Sequence, residues 1–281
     1  MSAPILELRD VVKTYGDGNG GRVAAVDHVS VAVTEGQGLG IVGESGSGKS
    51  TTVRCIVGLE KPDSGTITYD GIDLASASRA ERKRFRREVQ MVFQDPYSSL
   101  SPRLSVEEIV GEGLVVHAPR MSRAQRRDRC VEVLETVGLD AGALPRFPRS
   151  FSGGQRQRIA IARALAPEPR MLICDEPVSA LDVSVQAQVI TLLRRMHREL
   201  GLTMLFIAHD LAVVRHLCDS VLVMHEGRVE ETGPVSSVYA QPEAGYTRAL
   251  LDAIPIPDPA RDRARRARWR ASTIAEETTP A

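Results

Sequence analysis

Aromatic side chains make up only 4% of the 281 residues, so any core here must be built mainly from aliphatic ones. Asparagine is scarcer still: Asn19 is the only one in the chain. Cysteine is limited to Cys55, Cys130, Cys174 and Cys218, which are scattered and form no C-x-x-C pair. That pattern argues against a metal site or a disulfide framework and for free, buried thiols in a reducing compartment. Net charge is also missing, with 36 acids against 36 bases, so the balance by itself predicts no nucleic-acid or membrane partner. No apolar run approaches the length of a membrane span. Met1 to Glu7 lacks the charged and apolar regions of a signal peptide. Any service to a membrane is expected from the cytoplasmic side and through partners. The 42% hydrophobic content is enough for a sizeable core, and the length suits one large domain or one domain with a lobe and a tail.

Glycine, by contrast, is concentrated. Gly43-Glu44-Ser45-Gly46-Ser47-Gly48-Lys49-Ser50 fits G-x-x-x-x-G-K-[ST], a loop whose backbone N–H groups cradle phosphates. Leu39 to Val42 before it reads as a buried strand, and Thr51 to Leu59 after it as a helix. The N–H groups can converge on a phosphate backed by the positive end of that helix. Lys49 is expected to reach the β- and γ-phosphates, and the Ser50 hydroxyl to bind Mg²⁺.

Around this unit the chain alternates in α/β fashion. Ile5–Val12 and Ala25–Val33 alternate like strands, with a Gly-rich turn between them. Further strands are expected at Gly65–Gly71 and Glu88–Phe93. The strands then stop, and Val106–Val116 and Arg123–Val137 carry helical apolar spacing. Strands resume at Arg170–Cys174 and Thr203–Ile207, with a helix over Val183–Leu200 between them. After Val235 the pattern weakens. From Pro255 onward, prolines and an Arg/Ala run suggest a poorly ordered tail.

The second half supplies what a phosphate cradle needs for chemistry. Met171-Leu172-Ile173-Cys174-Asp175-Glu176 is an apolar strand ending in two acids. Asp175 can hold Mg²⁺ through water, and Glu176 can polarise an attacking water as a general base. Phe151-Ser152-Gly153-Gly154-Gln155 precedes a helix over Arg156–Leu165 and forms a second anion-binding device. Ser152 also suits an N-cap. Two such cradles make sense if the second closes over a γ-phosphate held by another copy of the domain.

Together these features resemble the nucleotide-binding domain of ABC transporters, over roughly residues 5–257. Ser152-Gly153-Gly154-Gln155 matches that family's signature, with Phe151 in place of the commoner leucine. Ser179-Ala180-Leu181-Asp182 matches its D-loop. Tyr15 lies where the family stacks an aromatic on adenine, Gln94 at the Q-loop glutamine, and His209 at the switch histidine. Taken singly, Tyr15 could be a packing aromatic, Gln94 a loop residue and His209 a capping group. Gln94 to Arg103, Asp175 to Gln188 and Gly245 to Pro255 are similar to the oligopeptide/dipeptide importer branch, which also includes nickel importers. Many members of that branch continue into a Cys-containing segment that in some binds an iron–sulfur cluster. No cysteine follows Cys218, so no cluster is expected.

The resemblance implies a P-loop NTPase (RecA-like) core, a small antiparallel β subdomain and an inserted α-helical lobe. The core is expected at 1–94 and 160–235, the lobe at 95–159, a C-terminal extension at 236–257 and a flexible basic tail at 258–281. It implies an ATPase. Tyr15, Gly43 to Ser50, Thr51, Ser152 to Gln155 and Asp182 would contact ATP. Ser50, Gln94 and Asp175 would surround Mg²⁺, and Lys49, Gln94, Glu176 and His209 would act on the γ-phosphate. It further implies two transmembrane permease subunits, a second ATPase subunit, an extracytoplasmic solute-binding protein, and a place on the cytoplasmic face of the membrane. A P-loop GTPase is excluded, because Asn19 precedes the P-loop and cannot belong to a guanine-reading motif. A soluble ABC ATPase stays open as the alternative. Arg79 to Arg87 and Arg261 to Arg270 are basic runs, read as a solvated helix face and a mobile tail, with acidic headgroups or a membrane subunit as the other reading.

Overall fold

The computed structural model describes residues 3–16, 21–95, 99–179, 181–209 and 211–253. Two sheets organise it. The first is antiparallel and 4-stranded, in the order β2-β1-β4-β5. It joins β1 (Pro4–Gly16), β2 (Arg22–Thr34), β4 (Ser64–Tyr69) and β5 (Ile72–Asp73). The alternation read at Ile5–Val12 holds at Leu6 and Leu8, while Ile5 is buried too and a register shift between Leu8 and Val11 returns Val11 to the core.

The second sheet is 6-stranded, in the order β10-β9-β3-β8-β7-β6. Its members are β3 (Gly38–Val42), β6 (Val89–Val92), β7 (Met171–Asp175), β8 (Thr203–Ala208), β9 (Ser220–His225) and β10 (Arg228–Pro234). Neighbours from β9 to β6 pair in parallel, and β10 closes the edge antiparallel to β9. Every residue of β3 and β8 is buried, as expected for parallel strands covered on both faces. One core lies between the two sheets, packed around Leu6, Ile41, Val53 and Leu205. The other lies on the opposite face, where Phe206, Leu172 and Val214 meet the helices.

The helices are α1 (Lys49–Ile56), α2 (Arg79–Glu88), α3 (Val106–His117), α4 (Arg123–Thr136), α5 (Gly153–Leu165), α6 (Val183–Leu200), α7 (Leu211–Leu217), α8 (Val235–Ala240) and α9 (Gly245–Ala253). Ser78, Ser105, Ser122 and Ser152 each begin a helix with a reciprocal capping box. The basic run from Arg79 is helix α2, whose only buried side chain is Phe85. Arg84 and Arg170 tie Asp70 and Glu88 together, and Arg170 also reaches Glu35, so an ionic cluster joins the sheets at their edge. The boundary expected at 159/160 falls inside α5, which runs on unbroken through it. The weak pattern after Val235 resolves into α8 and α9, both too short to advertise a period. The expected basic tail lies outside the described residues.

Candidate active site

The carboxyl ends of β3, β8, β7 and β6 sit side by side, and each delivers one part of the site. This is the crevice in which open parallel sheets place ligands. The P-loop leaves β3 and enters α1 through Gly48, whose φ of 100° is left-handed. A Cβ at Gly48 would overlap the Ala25 carbonyl oxygen, and one at Gly43 the Met224 carbonyl oxygen. Glycine is therefore required at both by strand β2 and strand β9 as well as by φ. α1 has no side-chain cap, so its first-turn N–H groups are left for an anion.

Lys49 is buried and curls over the loop. Its ammonium donates to the carbonyls of Gly43 at 2.8 Å and Glu44 at 2.6 Å, and to Ser47 Oγ at 3.3 Å. Burial lowers its pKa, against the pull of Glu176, Asp175 and Glu44.

Asp175, the last residue of β7, accepts a hydrogen bond from Ser50. Its Oδ1 is buried with no protein partner. Burial first, and Glu176 second, push its carboxyl above the ordinary range. A Ser hydroxyl bonded to a buried carboxylate with a spare lone pair fits a hard cation. Among the described residues no group of three or more His, Cys, Asp or Glu could hold a metal ion. The cation that fits is therefore one that completes its shell with phosphate oxygens and water, as Mg²⁺ does. A carboxyl whose folded pKa is raised costs stability above that pKa. Asp175→Asn is therefore expected to raise the melting midpoint in Mg²⁺-free buffer by a few degrees while abolishing turnover. An unchanged or lower midpoint by calorimetry counts against a strained, cation-seeking carboxylate.

Glu176 follows with φ 43°, uncommon for a non-glycine residue. Its N–H donates to the Ile207 carbonyl at 3.1 Å, which anchors the turn to β8. Its Oε2 accepts from Gln94 Nε2 at 2.8 Å and lies 3.7 Å from His209 Nδ1. Gln94, after β6, is thus held by Glu176. Behind Glu176 and His209 a cavity of about 140 Å³ reaches Ser179 and Gln186.

The remaining expected residues make contacts of their own. Ser152 and Gln155 bond each other, Ser152 N–H to Gln155 Oε1 at 3.0 Å and Gln155 N–H to Ser152 Oγ at 3.3 Å. A Cβ on Gly154 would strike Val185, so α5 and α6 touch at their starts. Asp182 begins α6 without a side-chain cap bond. Tyr15 is the last residue but one of β1, 38% exposed, with the Lys13 ammonium 5.5 Å from its ring centre.

One contact had no sequence signal. Tyr246 in α9 accepts a hydrogen bond from the Glu44 N–H at 3.2 Å, across 202 residues. The turn after β9 adds another, Gly227 N–H to the Ser47 carbonyl at 3.1 Å.

Residues 26–179 match the family model described as ABC transporter. The chain is 52% identical over 235 residues to the oligopeptide transport ATP-binding protein OppF of Salmonella typhimurium, covering 84% of this chain and 70% of that protein. It is 49% identical over 256 residues to a putative peptide import ATP-binding protein of Brucella ovis, covering 91% of this chain and 80% of that one. A dimeric ATP-binding cassette solved in a post-hydrolysis state with ADP and Pi superposes with a TM-score of 0.73 at 34% identity, over 82% of this chain and 98% of that one.

Proposed function

Because the chain belongs to the ABC transporter family, we propose that it is the ATP-hydrolysing subunit that energises import of peptides. The observation that carries this is the meeting of Gln94, Glu176 and His209 at strand ends that flank the P-loop. The kinship with proteins named for oligopeptide transport and peptide import supplies the cargo class. No described helix is long and apolar enough to cross a membrane.

The chain's own residues would divide the work as follows. Gly43 to Ser50 and Thr51 hold the phosphates, with Lys49 turning from the loop carbonyls to the β- and γ-phosphates. Ser50, Gln94 and Asp175 would surround Mg²⁺, which when bound neutralises phosphate charge. Glu176 orients the attacking water and takes its proton, and His209 contacts the γ-phosphate. Phosphoryl transfer asks for positioning and charge stabilisation more than covalent help, so this geometry sets the rate. Ser152, Gly153, Gly154, Gln155 and Asp182 would face nucleotide on a second ATPase subunit. The assembly would include two permease subunits and an extracytoplasmic solute-binding protein, with this chain at the cytoplasmic face.

Copurification with membrane subunits, followed by ATP-dependent peptide accumulation in vesicles holding the complex, tests this reading. An ATPase that copurifies with no membrane protein would instead be a soluble member of the family. Tyr15 offers a stacking face to either purine and no base-reading contact. ATP should therefore outcompete GTP only modestly in binding, and a hundredfold preference would reveal an unrecognised base contact.

A further inference from the structure

The last described helix, α9, returns to the nucleotide cradle. Glu231 of β10 caps α9, its carboxylate accepting from the N–H groups of Glu243 at 3.0 Å and Ala244 at 3.1 Å. Tyr246, in the first turn of α9, stacks on His225 with ring centres 4.0 Å apart and planes 30° apart. Its hydroxyl then receives the Glu44 N–H. That N–H belongs to the Gly43–Glu44 peptide, whose carbonyl accepts the Lys49 ammonium. One peptide plane is therefore held from both sides, by Lys49 and by Tyr246.

We propose that α9 braces the P-loop and that Tyr246 is a positioning residue for ATP binding, acting through the Gly43–Glu44 peptide. Gly43 has a φ of 151°, and without a Cβ the peptide after it can rotate easily. Rotation would swing the Gly43 carbonyl away from Lys49 and spoil the start of the cradle. The Tyr246 hydroxyl opposes this before nucleotide arrives. Once bound, phosphate orders the loop by itself, so the brace contributes to capture rather than to the chemical step. A brace of this kind sets the fraction of chains whose cradle is ready, and apparent affinity scales with that fraction.

The inference rests on the P-loop being an ATP site, and the test separates the two. Mg-ATP binding and steady-state hydrolysis are measured on the full 281-residue chain and on Tyr246→Phe, which keeps the ring on His225 and removes only the hydroxyl. The expected result is a rise of roughly three- to tenfold in both Kd and KM for ATP, the size of one lost hydrogen bond, with kcat within about twofold. A purely structural role would lower the melting midpoint and the active fraction without moving KM. Glu231→Ala loosens the helix cap and should raise Kd in the same direction, adding little on the Tyr246→Phe background. Equal ATP affinity in the parent chain and Tyr246→Phe overturns the brace alone. Fully multiplicative effects of the two substitutions also overturn it. A parent chain that binds no ATP overturns both readings.

Discussion

Glu176→Gln should leave ATP bound and almost unhydrolysed. The amide keeps the size of the carboxylate and can still accept the Gln94 N–H through its oxygen, so the contact seen at 2.8 Å survives. It cannot take a proton. Losing a positioned general base typically costs about 10²–10⁴ in rate, and a fall of that size in phosphate release is expected from the intact transporter. The backbone at φ 43° makes the same demand of either side chain, so folding should not differ. With hydrolysis stalled, the ATP-bound dimer should outlive that of the parent, visible as a persistent larger species in the presence of ATP. Turnover within a few-fold of the parent would remove Glu176 from the role of base and leave water activation to His209, whose Nδ1 lies 3.7 Å from it.

Where the sequence was legible, local chemistry and final position agreed. The P-loop could be read because glycine placement, an apolar strand and a following helix are all local signals. α6 matched its expected span of Val183–Leu200 because an apolar stripe and the Gly201 stop bracket it. The cap role of Ser152 is legible in the turn before α5, and the structure adds its reciprocal bonding with Gln155. What escaped was non-local or short. β10 alternates exposed and half-buried residues along an edge and carries no buried apolar face to find. The Tyr246 contact depends on β9, β10 and α9 folding back on the P-loop, and no window of sequence holds both partners. Gln94 reaches Glu176 because β6 and β7 are adjacent strands, a pairing no local window of sequence shows.

Gly153→Asp should separate the two cradles. Gly153 opens α5, and an acidic residue in the first turn of a helix is favourable to the helix itself, so the chain should fold. Gly154 would be a poor site for the same experiment, because a side chain there collides with Val185 and confounds packing with charge. If the Ser152–Gln155 turn closes over the γ-phosphate of a second subunit, the new carboxylate stands against that phosphate. Two like unit charges roughly 4 Å apart repel by about 4 kcal/mol at an effective dielectric of 20, on the order of a thousandfold in the equilibrium for closure. Hydrolysis by the transporter should collapse by about that factor. ATP affinity at this chain's own Lys49 site should stay within about twofold of the parent, because the capping bonds of Ser152 and Gln155 run to each other and not to the P-loop. Titration of ATP into the isolated, folded variant makes the decision. Loss of its own ATP affinity would mean that both cradles serve one nucleotide within a single chain, and hydrolysis shared across a dimer would have to be abandoned.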